Sequence, residues 1–584
     1  MQKRWLVNRT NPDFIQYLSK TASISPIITQ IMVNRGIKTA PDIARFLHGD
    51  IQDLSDSICI PGMRAAVERI IRAINRKEKI LIHGDYDVDG ICATVILHQA
   101  IQAMGGDCRY FIPNRFKHGY GFNPEGVTVA EQQAVGLIIT VDCGITALDT
   151  AALCRAKGID LIVTDHHEPI RKPAVNILNQ SSDTGGVASK PADTVLLPDA
   201  VAVINPKLMA DTPTLRFLSG AGIALKLVQA LVSEGYARMS YLDFVDLATL
   251  GTVADMVPLR GDNRIIVREG LSRIAQGTRP GIRALAAIAG ISGKEVKAGR
   301  LSFSLIPRMN AAGRLGDTHD VIEMLSTDSS DRAEQIALRL DTLNTERQEI
   351  EEKMFQEAVG MLQGRDALSV IVLASELWHQ GVNGIVASRL VEQTYRPAIV
   401  CAIEDGIAKG SARSIPSFDI CTALADCSEL LLGFGGHHQA AGLRLEAANL
   451  HALGKKLCTL FDETEDVERI PSLAIDADVS LADITGGLMR DFRLLEPLGS
   501  GNPEPLFGSK MLSVDSSRIV GNNHLKMKLR QKSYVIDAIG FGLGQDRGHL
   551  DVSTTIDAVY TPSINEWNGR QSLQLIIKAF RPSL

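Results

Sequence analysis

The sequence predicts an α/β protein: two α/β lobes joined by a long helix, then a small C-terminal β-barrel. Three observations carry this reading. Short Val- and Ile-rich runs alternate with helical segments from about residue 60 to 205, and again from 369 to 403. Such alternation builds sheets with helices packed on their faces. Residues 331–359 contain neither Gly nor Pro. From about residue 470, short strands and turns replace helix, as expected of a barrel.

Each element follows from its residues. Residues 1–60 form an N-terminal segment to which we assign no chemistry. In 61–330, the runs 79–83, 109–112, 137–142, 161–165 and 200–205 are expected to be buried strands of a parallel sheet, with helices at 91–104 and 147–157. Residues 206–330 are more helical, interrupted by expected loops at 251–258 and 307–316. The connector 331–360 suits a helix of roughly 43 Å, with Ile336, Leu340, Leu343, Ile350 and Met354 on its apolar face. Strands at 369–374 and 398–403 flank a helix at 382–392 in a smaller lobe spanning 361–465. The acidic run 462–468 is an expected linker, and 470–584 the barrel.

Composition sets bounds. At 584 residues the chain divides into several domains. A net charge of −6 neither advertises nucleic-acid binding nor excludes it, because local patches and bound metals set the field at a groove. Nine cysteines without a CxxC pair argue against a zinc ribbon or a disulfide framework, and a cytoplasmic setting is expected. No run reaches the roughly 20 apolar residues of a membrane span, and the N-terminus lacks a secretory core.

The chemistry gathers at the carboxyl ends of the first-lobe strands, where ligands of open parallel sheets sit. His83-Gly84-Asp85-Tyr86-Asp87-Val88-Asp89-Gly90 places three carboxylates on alternate residues, and Gly84 and Gly90 imply a sharp turn that gathers them. Asp142 and Asp165-His166-His167 follow two further strands, and Asp255 lies in 250–258. Carboxylates crowded this way need a cation. Oxygen ligands with imidazole suit Mg²⁺ or Mn²⁺. Two such ions, about 3.5–4 Å apart, neutralise phosphate charge and activate water. Arg308, Asn310 and Arg314 stand in a Gly/Ala-rich stretch suited to phosphate contact. In the barrel, Lys526, Lys528, Arg530 and Lys532 alternate with Met527 and Leu529, so one strand face is basic and the other apolar.

Asp85-Tyr86-Asp87-Val88-Asp89-Gly90, Asp142-Cys143-Gly144 and Asp165-His166-His167, in this order, resemble the DHH phosphoesterases, and within them the RecJ single-strand-specific exonucleases. Further matches are Pro113-Asn114-Arg115 with 119–121, 251–255, 308–314, 378–381 with 384–389, 409–413 and 435–442. The resemblance spans essentially the whole chain. It implies a DHH domain, a DHH-associated domain and an oligonucleotide-binding (OB) barrel. Asp87 and Asp142 would then hold one metal, and Asp89, Asp142, His166 and Asp255 the other, with Asp142 bridging. Either His83 or Asp85 completes the first site. His167 would contact the scissile phosphate or assist proton transfer. Arg115, Ser411 and Arg413 would capture a 5′-terminal phosphate, with His379, Gly436 and His437 lining the same cleft. Cys143 departs from the family's more usual Asn, which bears on hydrogen bonding around the ligands.

The implied activity is 5′→3′ exonucleolytic hydrolysis of single-stranded DNA to 5′-mononucleotides, in DNA repair and recombination. Mg²⁺ or Mn²⁺ would be the cofactor, as two ions. A single-strand-binding protein and a repair helicase are expected partners of a monomeric chain. A DHH phosphodiesterase of short oligonucleotides or cyclic dinucleotides is the competing reading; the barrel and its basic strand weigh against it. A catalytically dead nucleic-acid scaffold is the other, and the complete carboxylate set weighs against that.

Overall fold

The computed structural model describes residues 3–115, 119, 121–172, 194–209, 212, 214–235, 239–363, 368–463, 469–550, 554–567 and 570–583. Tyr120 of the 119–121 motif and residues 464–468 of the acidic run lie outside them. The first lobe is built on a five-stranded parallel sheet, ordered Asp107–Phe111, Lys79–His83, Leu137–Val141, Asp160–Thr164, Ala202–Ile204. Alternation along these strands feeds two cores. Ile80, Ile82, Leu137, Ile139 and Ile162 pack with the helix Val88–Ala103, while Leu81, Ile138, Leu161 and Val163 pack with Pro124–Gln132 and Leu148–Ala156. Both faces are covered, which is why the strands read as unbroken apolar runs.

Val88–Ala103 is buried almost all round because Gly220–Ser233 and Val245–Ala254 pack against it. Two expected loops are largely helical. Residues 307–315 belong to the helix Ala298–Leu315, with Pro307 inside it, and 251–254 complete the helix Val245–Ala254. Ala, Met, Arg and Leu around Pro307 favour helix, and burial of Leu305, Met309 and Ala312 outweighs one lost main-chain donor.

The connector is the helix Ser330–Leu362. Its Ala333, Ile336 and Leu340 enter the first-lobe core, whereas Met354 and Ala358 enter the second. One rigid rod thus fixes both lobes. In the second lobe the sheet order is Gly433–His437, Ala440–Glu446, Ile407–Arg413, Ala398–Glu404, Ile371–Ser375, and only the last pair is parallel.

The C-terminal sheet runs Ala477–Asp478, Phe507–Val520, His524–Gln531, Tyr534–Gly540, Arg570–Pro582, Thr555–Trp567, and Phe507–Val520 also pairs with Thr555–Trp567 to close a barrel. Irregularities at Ser509/Leu512 and Val514/Ser516 let that long strand bend between its two partners. The N-terminal residues, featureless in sequence, form the helices Pro12–Ala22, Pro26–Asn34 and Ala40–His48. Their Ile15, Leu18, Ile28 and Ile31 share one core with barrel residues Leu525, Leu529 and Tyr560, and the strand Arg4–Val7 pairs with Ser472–Ile475. Among the described residues no helix is long and apolar enough to cross a membrane.

Candidate metal centre and nucleic-acid cleft

The carboxylates are gathered by a strand-to-helix junction. Lys79–His83 ends, Asp85 follows buried, and Asp87 caps the helix Val88–Ala103 by accepting from the Gly90 amide at 3.0 Å. Asp89, in the first turn, accepts from Gly220 N at 2.7 Å and Ala221 N at 2.9 Å, at the start of the next helix. Free amides at a helix N-terminus are natural partners for a carboxylate. Gly84 and Gly90 serve close approach rather than an unusual backbone angle. A Cβ on Gly90 would stand 2.7 Å from Asp85 Cβ, one on Gly220 would lie 2.6 Å from Asp142 Oδ1, and one on Gly251 2.3 Å from Asp89 Oδ1. Asp142 follows the central strand with φ of 60°, a strained setting for a non-glycine residue, of the kind that clusters at functional sites.

Three overlapping ligand groups result, one of them Asp142 with His166 and His167. Asp85, Asp87 and Asp142 offer donor atoms within 4.8 Å of one another, as do Asp89, His166 and Asp255. Asp142 joins them, with Oδ1 3.0 Å from His166 Nε2, and His166 Nε2 is 3.5 Å from Asp255 Oδ2. Burial, then the charge of Asp87, pushes Asp85 well above the usual carboxylate range and Asp89 up to about 7. Burial, then Asp89, raises Asp142 strongly and Asp255 to about 8. Burial, then the charge of His167, lowers His166 to about 3. Asp142 Oδ1, His166 Nε2 and both Asp85 oxygens are buried without a well-formed hydrogen bond. Orphaned acceptors in a crowd of carboxylates are costly unless a cation fills the gap. A donor set of five carboxylates and one imidazole fits a hard divalent ion.

His167 has a different environment. Its Nδ1 is 2.7 Å from Asp165 Oδ1, and its backbone N–H donates to the same oxygen. Burial opposes a charged ring there, but the hydrogen bond to Asp165 and the charges of Asp165, Asp255 and Asp85 outweigh it, holding His167 up at about 9. Asp165 also accepts from Ile145 N at 2.9 Å; burial would raise it, yet these partners bring it down to about 2. Sequence reasoning named the motif but gave Asp165 no role; its place directly before His166 and His167 was the available signal. His83 stands outside all three ligand groups. It is fully buried, its ring 5.3 Å from Phe111 and 4.9 Å from Phe122, with Cys143 Sγ 3.8 Å from Nδ1. Cys143 is a buried thiol packed on that ring.

Tyr86, between Asp85 and Asp87, links the clusters to the arginines. Arg115 lies over its ring at 5.3 Å, and the charge of Arg314 also acts on it. Burial, then the charges of Arg115, Arg347 and Arg413, pushes Arg314 down to about 10, while its Nη1 donates to Gly381 O at 2.9 Å. Arg115 from the first lobe lines a cavity of about 420 Å³ with Ser411, Lys409, Asn383 and Gly442 from the second. Arg413 lies alongside, near enough that a Cβ on Gly384 would stand 2.8 Å from its Nη2. Asn383 is buried with an unpartnered Oδ1, and sequence reasoning missed it.

Asn310 and Arg314 line a second cavity of about 250 Å³ with Met256 and Arg347. Arg308 is placed differently: its Nε pairs with Asp341 of the connector at 2.8 Å, which gives it a structural partner. His379 Nδ1 accepts from Gly381 N at 3.1 Å. Gly436 and His437 sit on the exposed edge strand Gly433–His437, and a Cβ on Gly436 would lie 2.3 Å from Ala440 O. The charges of Arg413 and His167 both reach His437, from either lobe.

In the barrel, Leu525, Met527 and Leu529 are buried, while Lys528 and Arg530 are exposed and Lys526 half-buried. Arg530 is held by Asp515, with Nη2 2.6 Å from Oδ2. Lys532 leaves the strand face, in the turn after the strand with φ of 56°. Arg518, opposite Lys526 in register, adds a basic residue that the sequence did not single out.

Comparisons with known proteins agree with this architecture. Residues 79–252 match the DHH family N-terminal domain, 367–463 the DHHA1 domain and 475–579 the RecJ OB domain. The single-stranded-DNA-specific exonuclease RecJ of Escherichia coli K12 is 35% identical over 592 residues, covering 96% of each chain. That of Bacillus subtilis 168 is 36% identical over 582 residues, 98% of this chain and 70% of the other. The crystal structure of RecJ from Thermus thermophilus with Mn²⁺ superposes with a TM-score of 0.82 at 30% identity, over 100% of this chain and 80% of that one. Its Mg²⁺ complex gives 0.76 at 28% identity, over 100% and 79%. The DHH, DHHA1 and RecJ OB domains thus follow one another along a chain similar over nearly its whole length to RecJ proteins, and the chain belongs to the RecJ family of DHH proteins.

Proposed function

We propose that the chain is a metal-dependent exonuclease that degrades single-stranded DNA from its 5′ end. The observation that carries this is the meeting at Tyr86 of the Asp85 and Asp87 carboxylates, which Asp142 joins to the neighbouring ligand group, with arginines of the interlobe cleft. Asp85, Asp87 and Asp142 would hold one divalent ion, and Asp89, Asp142, His166 and Asp255 a second. Mn²⁺ or Mg²⁺ bound there would supply Lewis acidity toward the scissile phosphate. His83 shapes the wall behind the first site.

The remaining roles belong to the protein's own side chains. Arg314 and Asn310 steady the scissile phosphate, with guanidinium charge placed where negative charge grows. His167, kept protonated by Asp165, presents a proton beside the same phosphate. Arg115, Ser411 and Arg413 take the 5′-terminal phosphate, with His379, Gly436 and His437 around them, and Lys526, Lys528 and Arg530 guide the trailing strand. Hydrolysis adds water across the bond to the 3′ oxygen. The released nucleotide keeps its 5′ phosphate, and the shortened strand carries a new one, so the cleft meets the same end each cycle. A single-strand-binding protein and a repair helicase are the expected partners of a monomeric, cytoplasmic enzyme.

The test is Mn²⁺-dependent digestion of a single strand labelled at either end, beside its duplex and an Asp142→Ala control. Early mononucleotides from the 5′ end of the single strand alone, abolished in the control, support the proposal. Cleavage confined to dinucleotides would transfer the chain to small substrates.

A further inference from the structure

A cavity of about 280 Å³ lies where the N-terminal helices meet the first lobe, and no residue of the carboxylate clusters or the interlobe cleft lines it. Its wall carries four arginines, Arg35, Arg45, Arg260 and Arg264, with Phe46 and Phe217. Charge there is out of balance. Arg264 gives all five N–H bonds to main-chain carbonyls: Nε to Phe46 at 2.7 Å, Nη1 to Leu495 at 3.0 Å and Pro497 at 3.2 Å, Nη2 to Leu494 at 2.9 Å and Glu496 at 2.7 Å. Arg35 donates to Asn502 Oδ1 and to Pro503 O, and its Nε is buried without a partner. Arg260 Nε donates to Gly501 O at 2.9 Å.

Carboxylates do little to offset this. Asp42, the one acid among the described residues of the lining, is held by Thr39 Oγ1 at 2.6 Å. Asp262 lies 3.8 Å from Arg45 but only 2.7 Å from the buried Lys226. Burial, then the charges of Arg268 and Arg35, lowers Arg264 to about 8, opposed by Glu496. Burial lowers Arg35 to about 10, opposed by Asp476 and aided by Arg260. Buried cations with too little counter-charge are costly, and an anion is their natural complement. Guanidinium groups favour phosphoryl oxygens through paired hydrogen bonds.

We propose that this cavity binds a small phosphoryl-bearing anion, between inorganic phosphate and a nucleoside monophosphate in size, as a brace between the N-terminal helices, the first lobe and residues 494–503. The volume lies near the lower end of ligand sites, about 300–1,000 Å³. Half-buried Phe217, with Ile37 and Ile265, supplies an apolar wall for a base or sugar beside the charged one. The mouth opens at exposed Asp42 and Arg45. The site is independent of whether the chain cleaves DNA.

Calorimetry and thermal melts on the full chain in EDTA, titrated with inorganic phosphate and separately with dAMP, test it. Arg413→Ala removes the competing cleft contact, and Arg45→Gln with Arg260→Gln removes two lining arginines. Binding near one equivalent that survives Arg413→Ala, raises the melting temperature and weakens at least about tenfold in the double variant supports the site. Binding of both probes names the phosphate ester as a source, and binding of phosphate alone names the free anion. Silence toward both probes, or binding abolished by Arg413→Ala and untouched by the double variant, overturns it. Should the double variant misfold, arginine modification by phenylglyoxal of the unaltered chain decides. Phosphate must protect Arg45 and Arg260, and absence of protection overturns the proposal.

Discussion

At the scale of single residues, the site is an arrangement of groups that are unstable together until a cation joins them. Asp142 concentrates this tension, being buried, left-handed, grouped with Asp85 and Asp87, and 3.0 Å from His166 of the neighbouring group. Asn tolerates its backbone angle, so Asp142→Asn should fold, melt higher than the parent in EDTA, and lose at least about 100-fold in nuclease rate. Asp89 and Asp255, at about 7 and 8, sit above the roughly 4 of an unfolded carboxylate. The folded chain therefore holds these protons more tightly than the unfolded one. Their penalty is complete above the folded values and fades as pH falls through them. In EDTA the melting temperature should rise between about pH 8.5 and 6, and Mn²⁺ should stabilise most at the alkaline end. A melt that falls across this range would refute that account. Asp165 positions His167: Asp165→Asn should return the His167 titration, followed by NMR, toward ordinary imidazole and slow cleavage about 10–100-fold.

At the scale of elements, strands and helices deliver these residues through period and packing. The barrel strand His524–Gln531 shows the period plainly, apolar residues inward and Lys526 and Lys528 outward. Because Arg530 is already held by Asp515, the two lysines carry more of the free charge. Lys526→Ala with Lys528→Ala should weaken single-strand binding uniformly across sequences and lower the salt slope by about 0.7 for each phosphate left unneutralised. An unchanged slope would place the DNA on another face. Buried strands of the first lobe were legible within a few residues, since runs such as 137–141 have few alternatives. The segment 307–316 was not, because Pro and Gly suggest a loop and only the burial of Met309 and Ala312 shows why helix wins.

At the scale of the whole molecule, Arg264 is the joint. It ties Phe46 and residues 494–497 to the first lobe, and Leu259 N adds a bond to Ser500 O at 2.8 Å. Arg264→Ala would leave several buried carbonyls without donors, at about 1–3 kcal/mol each where water cannot reach. Urea unfolding should show a loss of roughly 3 kcal/mol or more, or a separate early transition for the barrel and N-terminal helices. A single transition at the parent midpoint would show that the joint contributes little. The connector Ser330–Leu362 plays the matching part between the lobes, with each end in a different core.

The sequence by itself determined what is local or periodic: the parallel sheet, the long helix, the basic strand, and the carboxylates at strand ends. Those properties follow from residue order because side-chain direction repeats every two or 3.6 residues. Tertiary structure decided what depends on distance between remote residues. It brought the Gly220 amide to Asp89, set Asp85 among the carboxylates, packed His83 against Phe111 and Phe122, and paired Arg308 with Asp341. It also folded the N-terminal helices against the last domain. No local pattern encodes such meetings, because each is fixed by the packing of elements far apart in the chain.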